Sequence, residues 1–259
     1  MHRVGGQIAF RGNRLRLVST VADPTPRSNS TVLVTFANGN YMPMTRIRAQ
    51  AESLRVFDEV RTHTEHDFPA FFSQHRAFIR QEPIGFGRWI WKPKVILETL
   101  LSVKPGDIVV YADAGVYLNT QGLPRFSEYI AMLEDPAISV VTFATHFAFD
   151  VKYLLPETIA TYFPSFSYET HPYQYAGILM MKRTDAAIQM VREWLSLCES
   201  YPLLRNPDGD GDNGLFNLCL AKHSSIVRTL SDEVNTPDGD WSKLDAFPFQ
   251  IRRIRPRRF

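Results

Sequence analysis

At 259 residues the chain is long enough to bury a large core, and it fits one generous α/β domain or two small ones. Its apolar fraction of 44%, charged fraction of 22% and net charge of +2 are those of an ordinary globular protein and give no global footprint for nucleic acid. No run of about 18 apolar residues occurs, so no transmembrane helix is expected, and the opening MHRVGGQIAFRGNRLRL lacks the apolar stretch and cleavage site of a signal peptide.

Residues 1–30 read as an N-terminal extension that ends in the turn-rich linker VADPTPRSNS; before it, Ile8, Phe10, Leu15 and Leu17 alternate as in an edge hairpin. Thr31 to Phe36 (TVLVTF) is the first clear buried strand and runs into the polar turn formers Ala37 to Asn40. A helix is expected from about Met44 to Arg55, with Ile47, Ala51 and Leu54 on one face. Phe57 to Arg61 suggests a second strand and Phe68 to Phe78 another helix. This alternation argues for a parallel sheet built from right-handed crossovers.

The stretch GFGRWIWKPKVILETLLSVKPGDIVVYADAGVYLN, from Gly85 to Asn119, carries the strongest signals. Pro93 suits a first helical turn, and Val95, Ile96, Thr99 and Leu100 recur at helical spacing. Lys104-Pro105-Gly106-Asp107 breaks that helix. Ile108 to Tyr111 is a short, β-branched apolar run, the pattern of a strand buried on both faces, and it ends in Asp113-Ala114-Gly115. A carboxylate where such a strand gives out lies at the carboxyl edge of the sheet, where open α/β sheets bind ligands.

Beyond it come a helix from Pro124 to Leu133, a strand from Ile138 to Phe143, and an irregular, aromatic-rich segment from 144 to 175. A loop of that length with so many rings is expected to be functional. Ala176 to Met181 reads as a strand, and Thr184 caps a helix running to about Ser200. NPDGDGDNG (206–214) is a flexible acidic loop, Leu215 to Lys222 is helical, and Ile226 to Leu230 is a last strand. Cys198 and Cys219 fall in amphipathic helix patterns and read as buried free thiols, which favours a reducing, cytoplasmic compartment. The tail QIRRIRPRRF reads first as a solvated end; if it acts, anionic membrane phosphates at the inner face of a membrane are its target.

Among candidate site residues, Asp113 fits one carboxylate ligand of a hard divalent cation shared with a substrate's phosphates, or else a turn cap. Trp89, Trp91, Lys92 and Pro93 form an aromatic-basic cluster at a helix start, suited to an anion through Lys92 and to a base or sugar ring through a Trp face; one of the two tryptophans is expected to plug the core. Asp208, Asp210 and Asp212 do not complete a calcium loop, because Cys219 stands where its last Glu belongs. Asp212 and Asn213 read instead as a helix cap facing the cleft. His146 and His171, in the aromatic segment, are candidates for contacts to substrate hydroxyls. Zinc-hydrolase, serine-hydrolase, P-loop and dinucleotide motifs do not occur.

Three stretches, Thr-Phe-Ala-Asn after the first strand, GFGRWIWKP, and GDIVVYADAGVYLN, resemble bacterial and viral nucleotide-sugar glycosyltransferases of the GT-A type. AGILMMKR and DNGLFNLCL look like the second half of such proteins, which usually have Asp-Gln where this chain has Asp212-Asn213. The resemblance covers about residues 31–256. It implies one α/β domain with a GT-A-like, Rossmann-type, mostly parallel central sheet flanked by helices, a nucleotide-binding half (31–120), an acceptor-binding half (121–250) and a basic tail (251–259). It also implies a nucleotide-diphosphate sugar donor, with Thr35, Phe36, Ala37 and Asn38 at the nucleoside, and a glycan or lipid-linked acceptor. The family's Asp-x-Asp motif would hold the diphosphate through Mn2+ or Mg2+. Here its third position is Gly115, which implies either a metal held by Asp113 with phosphate and water, or Lys92, Arg46 and Arg88 neutralising the leaving diphosphate instead. Asp212 is then the acceptor-side carboxylate, with His146 or His171 behind it and the aromatic segment, including Tyr175, as the acceptor wall beside Asn213. A sugar nucleotidyltransferase and a non-catalytic carbohydrate-binding relative are the competing readings.

Overall fold

The computed structural model describes residues 29–39, 42–146, 153–205 and 211–251. The hairpin expected before residue 29, residues 206–210 of the acidic loop and the arginine tail from 252 onward lie outside these residues.

The strands are β1 (Thr31–Phe36), β2 (Glu59–His63), β3 (Ile108–Ala112), β4 (Tyr117–Leu118), β5 (Val140–Phe143), β6 (Ile178–Lys182), β7 (Val227–Leu230) and β8 (Phe249–Gln250). The helices are α1 (Met42–Leu54), α2 (Pro69–Gln74), α3 (Arg76–Gln81), a single turn α4 (Gly85–Arg88), α5 (Trp91–Ser102), α6 (Leu123–Met132), α7 (Pro156–Tyr162), α8 (Asp185–Glu199), a second single turn α9 (Tyr201–Leu204) and α10 (Asp212–Lys222). Six strands form one mixed, mostly parallel sheet in the order β2-β1-β3-β6-β5-β7, and β4 pairs with β8 in a separate ribbon. Helices flank the sheet, as expected for an α/β protein.

Period-2 alternation divides each central strand between two cores. Val34 and Phe36 of β1, Val109 and Tyr111 of β3, and Leu179 and Met181 of β6 face the layer that contains α5, α8 and α10. Leu33, Ile108, Val110, Ile178 and Met180 face the opposite layer, with α1 and α6. Burial on both faces is why these strands read as unbroken apolar runs rather than alternating ones.

Several boundaries differ from the sequence expectation. The second strand lies two residues later, because Asp58 is taken up in anchoring the start of β1: its carboxylate accepts the Thr31 N–H at 2.7 Å. The expected helix 68–78 is two short helices interrupted at His75. The His75 ring is drawn into the core between Tyr201 Oη at 2.7 Å and Glu199 Oε1 at 3.2 Å. β6 begins at Ile178 rather than Ala176 and runs antiparallel to both neighbours, β3 and β5. The aromatic segment brings this reversal about: its end folds back on β5, with Thr145 N–H to the Tyr173 carbonyl at 2.6 Å and Tyr175 N–H to the Phe143 carbonyl at 3.0 Å. No helix among the described residues is long and apolar enough to cross a membrane.

Candidate functional site

β3 delivers Asp113 to the carboxyl edge of the sheet. There the chain turns at once: the Val116 N–H donates to the Asp113 carbonyl, and the Asp113 N–H donates to Gly177 ahead of β6, both at 2.8 Å. Tyr111, two residues earlier on the same face of β3, donates its hydroxyl to Asp113 Oδ1 at 2.6 Å. Burial, and then the Asp113 carboxylate, raise the Tyr111 pKa well above its usual value, so this hydroxyl stays a donor. A Cβ on Gly177 would stand 2.7 Å from Asp113 Oδ2, so only glycine leaves that oxygen its place.

The approach to α5 is backbone of the opposite hand. Gly85, Phe86, Gly87, Arg88 and Trp89 have φ of 61°, 56°, 88°, 53° and 60°, a run of five left-handed residues. That conformation costs about 1–2 kcal/mol for each of the three that are not glycine. Hydrogen bonds offset part of it: Trp89 N–H to the Gly85 carbonyl at 3.1 Å, Arg88 N–H to that of Ile84 at 2.8 Å, and the Trp91 indole to that of Gly85 at 3.0 Å. The turn separates two tryptophans by environment. Trp91 is buried and stacks on Phe36 with centroids 4.1 Å apart, as one of the pair was expected to do. Trp89 is held against Gly85 and Gly211 at the cleft, where the first would have no room for a Cβ.

From the first turn of α5, Lys92 reaches up between two carboxylates. Its Nζ lies 3.4 Å from Asp113 Oδ1 and 3.3 Å from Asp212 Oδ2. Lys92 and Asp212 are 4% and 2% exposed, whereas the Asp113 side chain is 40% exposed. Burial works against the ammonium, but the two carboxylates outweigh it and hold the Lys92 pKa above its ordinary value. Lys92 and Asp113 therefore converge on one place, together with Asp212.

α10 is buried almost all round, and its first residues serve the cleft. Asp212 is inside the helix rather than its cap: Gly211 is the N-cap residue, and the Asp212 side chain goes to Lys92 instead. The Trp194 indole fixes the Asp212 carbonyl at 3.1 Å. Asn213 Oδ1 accepts the Ala176 N–H at 2.6 Å. One turn on, Asn217 holds the Gln174 backbone by both its carbonyl at 3.0 Å and its N–H at 2.8 Å. A Cβ on Gly214 would stand 2.6 Å from the Tyr153 carbonyl, so the glycine lets that tyrosine close down.

These elements enclose two chambers in series. The first, about 410 Å3, is lined by Phe36, Ala37 and Asn38 of the loop after β1, by Gly85 and Phe86, and by Ala114 and Gly115. The second, about 470 Å3, is lined by Lys92, Asp212 and Asn213 and walled by Tyr153, Tyr173 and Tyr175. Trp89 and Asp113 belong to both. Each chamber has the size of a small-molecule site.

Of the candidate residues singled out in the sequence, Phe36, Ala37, Asn38, Trp89, Trp91, Lys92, Asp113, Gly115, Tyr175, Asp212 and Asn213 therefore meet here. Thr35, Arg46, Arg88, His146 and His171 line neither chamber. Thr35 is enclosed in β1. Arg46 clamps the turn after Asp113 from below, donating to the Ala114 and Val116 carbonyls at 3.2 Å each and lying over the Tyr117 ring. Arg88 is paired with Glu82 at 3.0 Å. His171 stacks on Phe166, its Nδ1 2.9 Å from the Ser167 carbonyl. His146 Nδ1 lies 2.7 Å from Asp232 Oδ2, an oxygen that also accepts from the Tyr175 hydroxyl at 3.3 Å, so His146 connects to the second chamber through that carboxylate. Sequence reasoning missed Tyr111, Gly177 and Asn217. Of these only Asn217 has a local signal, a second Asn one helical turn after Asn213.

As a cation site the cleft offers little by itself. A hard divalent ion takes several oxygen ligands. Gly115 has no side chain to give, Asp113 Oδ1 is engaged by Tyr111 and Lys92, and Asp212 is engaged by Lys92. No group of three or more His, Cys, Asp or Glu suited to a metal occurs among the described residues. Asp113 Oδ2 accepts no hydrogen bond among the described residues and is open to a cation shared with a ligand's phosphates.

No family model matches the chain, and no curated protein sequence matches it. Solved structures do. A glycosyltransferase involved in glycosylation of the major capsid of PBCV-1 is 12% identical, with a TM-score of 0.53, covering 88% of this chain and 94% of that one. Mouse xyloside xylosyltransferase 1 is 11% identical with a TM-score of 0.49, covering 86% and 96%. The galactosyltransferase LgtC, solved with donor and acceptor sugar analogs, is 12% identical with a TM-score of 0.42, covering 85% of each chain. At such identity the first of these likenesses is one of fold: the chain has the α/β architecture of that capsid glycosyltransferase over nearly its whole length.

Proposed function

We propose that this protein transfers a sugar from a nucleotide-diphosphate donor to a glycan or lipid-linked acceptor. The observation that carries the reading is the pair of chambers meeting at Asp113 and Trp89, with the Lys92 ammonium in the wall of the second, 3.4 Å from Asp113. Transfer needs two substrates on either side of one carbon, and charge stabilisation for a departing diphosphate. The first chamber, with Phe36, Ala37 and Asn38, takes the nucleoside. The diphosphate lies at Asp113 and Lys92, and Trp89 packs on the sugar between the chambers. The second chamber takes the acceptor: its tyrosine faces suit sugar C–H surfaces, and Asp212 is the carboxylate for the acceptor hydroxyl or the positive centre that develops opposite it. A Mn2+ or Mg2+ ion brought in with the donor would be held at Asp113 and would supply further neutralisation of the leaving group.

One feature favours a second reading, a carbohydrate-binding protein without transferase activity: Gly115 contributes no second carboxylate. Calorimetric titration with a panel of nucleoside diphosphates, with and without Mn2+, followed by donor hydrolysis assays, separates the two. Nucleotide binding and donor hydrolysis, both reduced at least about tenfold in Asp113→Asn, are expected for the transferase. Sugar binding with no nucleotide binding would overturn it.

A further inference from the structure

Asp113 and Asp212 come from different elements, the end of β3 and the start of α10, and their carboxylates face a common point. That point is held by the chain itself. Lys92 Nζ lies 3.4 Å from one and 3.3 Å from the other, and Lys92 is buried behind them in the first turn of α5. Trp194 fixes the backbone of Asp212, and Tyr111 fixes Oδ1 of Asp113. Asp113 Oδ2 accepts no hydrogen bond among the described residues, and the side chain is 40% exposed to the cleft.

Counted as charges, two carboxylates and one ammonium leave a single net negative charge. That is too little, with one open oxygen, to hold a divalent cation firmly, and it has the wrong sign to welcome a diphosphate alone. Both deficits vanish when cation and diphosphate arrive together. We propose that Lys92 is a built-in occupant of the place a metal would take between Asp113 and Asp212, so that the protein keeps no resident divalent cation and takes one up only as a complex with the donor's diphosphate. The inference rests on the nucleotide-sugar reading for its second half only. Lys92 is in this sense a positioning residue that sets when the metal enters.

The test is Mn2+ binding followed by the electron paramagnetic resonance signal of the free ion, with UDP and GDP as diphosphate probes. Wild-type protein is expected to bind Mn2+ alone with a Kd weaker than about 1 mM, and at least about tenfold more tightly once the diphosphate is present. Lys92→Met, which leaves both carboxylates without their shared cation, is expected to bind Mn2+ without nucleotide at least about tenfold more tightly than wild type. Circular dichroism establishes whether that variant folds. If it does not, Lys92→Gln carries the same test: its amide can still donate to one of the two carboxylates, but the charge between them is gone. It too should gain Mn2+ binding in the absence of nucleotide. Wild-type protein that binds Mn2+ alone in the micromolar range overturns the proposal, as does a folded Lys92→Met, or a folded Lys92→Gln, that binds no better than wild type. If neither diphosphate binds with or without Mn2+, the proposed function falls instead, and the nucleotide-free comparison still decides the role of Lys92.

Discussion

Replacing Gly177 by alanine tests whether the position of the Asp113 carboxylate governs activity. The added Cβ would lie 2.7 Å from Oδ2 and 3.3 Å from Cγ of Asp113. Against the 3.4 Å at which ordinary contact begins, the carboxylate must retreat by about 0.7 Å, and a misplacement near 1 Å costs on the order of 100-fold in rate. It is the end of a side chain that moves, and the contacts of its other oxygen with the Tyr111 hydroxyl and the Lys92 ammonium are disturbed with it. Stability should barely respond: alanine at a glycine with ordinary φ gains about 0.4–1 kcal/mol through the unfolded chain, against a small loss of contact. The expected result is a melting temperature within about 4 °C of wild type, with donor hydrolysis or transfer reduced about 100-fold. Activity within about threefold of wild type would refute the link between Asp113 geometry and rate, and a melting temperature lowered by more than about 10 °C would mean that the backbone of β6, not the side chain, had given way.

Two further outcomes concern stability. At Gly122 a Cβ would fall 2.1 Å from the Phe247 carbonyl carbon and 2.2 Å from Pro248 N, backbone that cannot swing aside. Gly122→Ala should therefore cost about 3 kcal/mol and lower the melting temperature by about 6–12 °C, readable by calorimetry. Burial raises the pKa of Glu193, but hydrogen bonds from Tyr162, Gln189, His223 and Lys222 outweigh it and bring the carboxyl from 4.5 to about 2. A carboxylate depressed in the folded state contributes stability above pH 4.5 that is lost as pH falls toward 2. Urea midpoints should fall more steeply over that window in wild type than in Glu193→Gln; parallel slopes would exclude this carboxylate as a source of acid sensitivity.

The centre of the site was legible because its signals are local. A β-branched run ending in Asp113 specifies a buried strand and its edge, and a lysine between Trp91 and Pro93 specifies a helix start, so their convergence followed from one short connection. What depended on distant partners was not legible. His75 reads as one more helical residue until Tyr201 and Glu199 claim its ring. Asp212 has the chemistry of a helix cap, and only the approach of Lys92 diverts it. Arg46 and Arg88 look like free cations in the sequence, yet one is committed to the carbonyls of the turn after Asp113 and the other to Glu82. The left-handed turn was hidden for a different reason. Gly85 and Gly87 signal positive φ, but Phe86, Arg88 and Trp89 resist it, and the hydrogen bonds to the Ile84 and Gly85 carbonyls, with Gly211 packed close on Arg88 and Trp89, override their local preference.

Because Trp89 and Asp113 form part of both chambers, the two halves of the cleft cannot be re-tailored by the same freedom everywhere. Replacing Phe36 or Asn38 alters one compartment only, and replacing Tyr153 or Tyr173 alters only the other, so libraries built at those positions should yield independent changes in preference for each ligand. A change at either shared residue reaches both at once. Variants selected there for a new partner on one side should carry an altered affinity on the other.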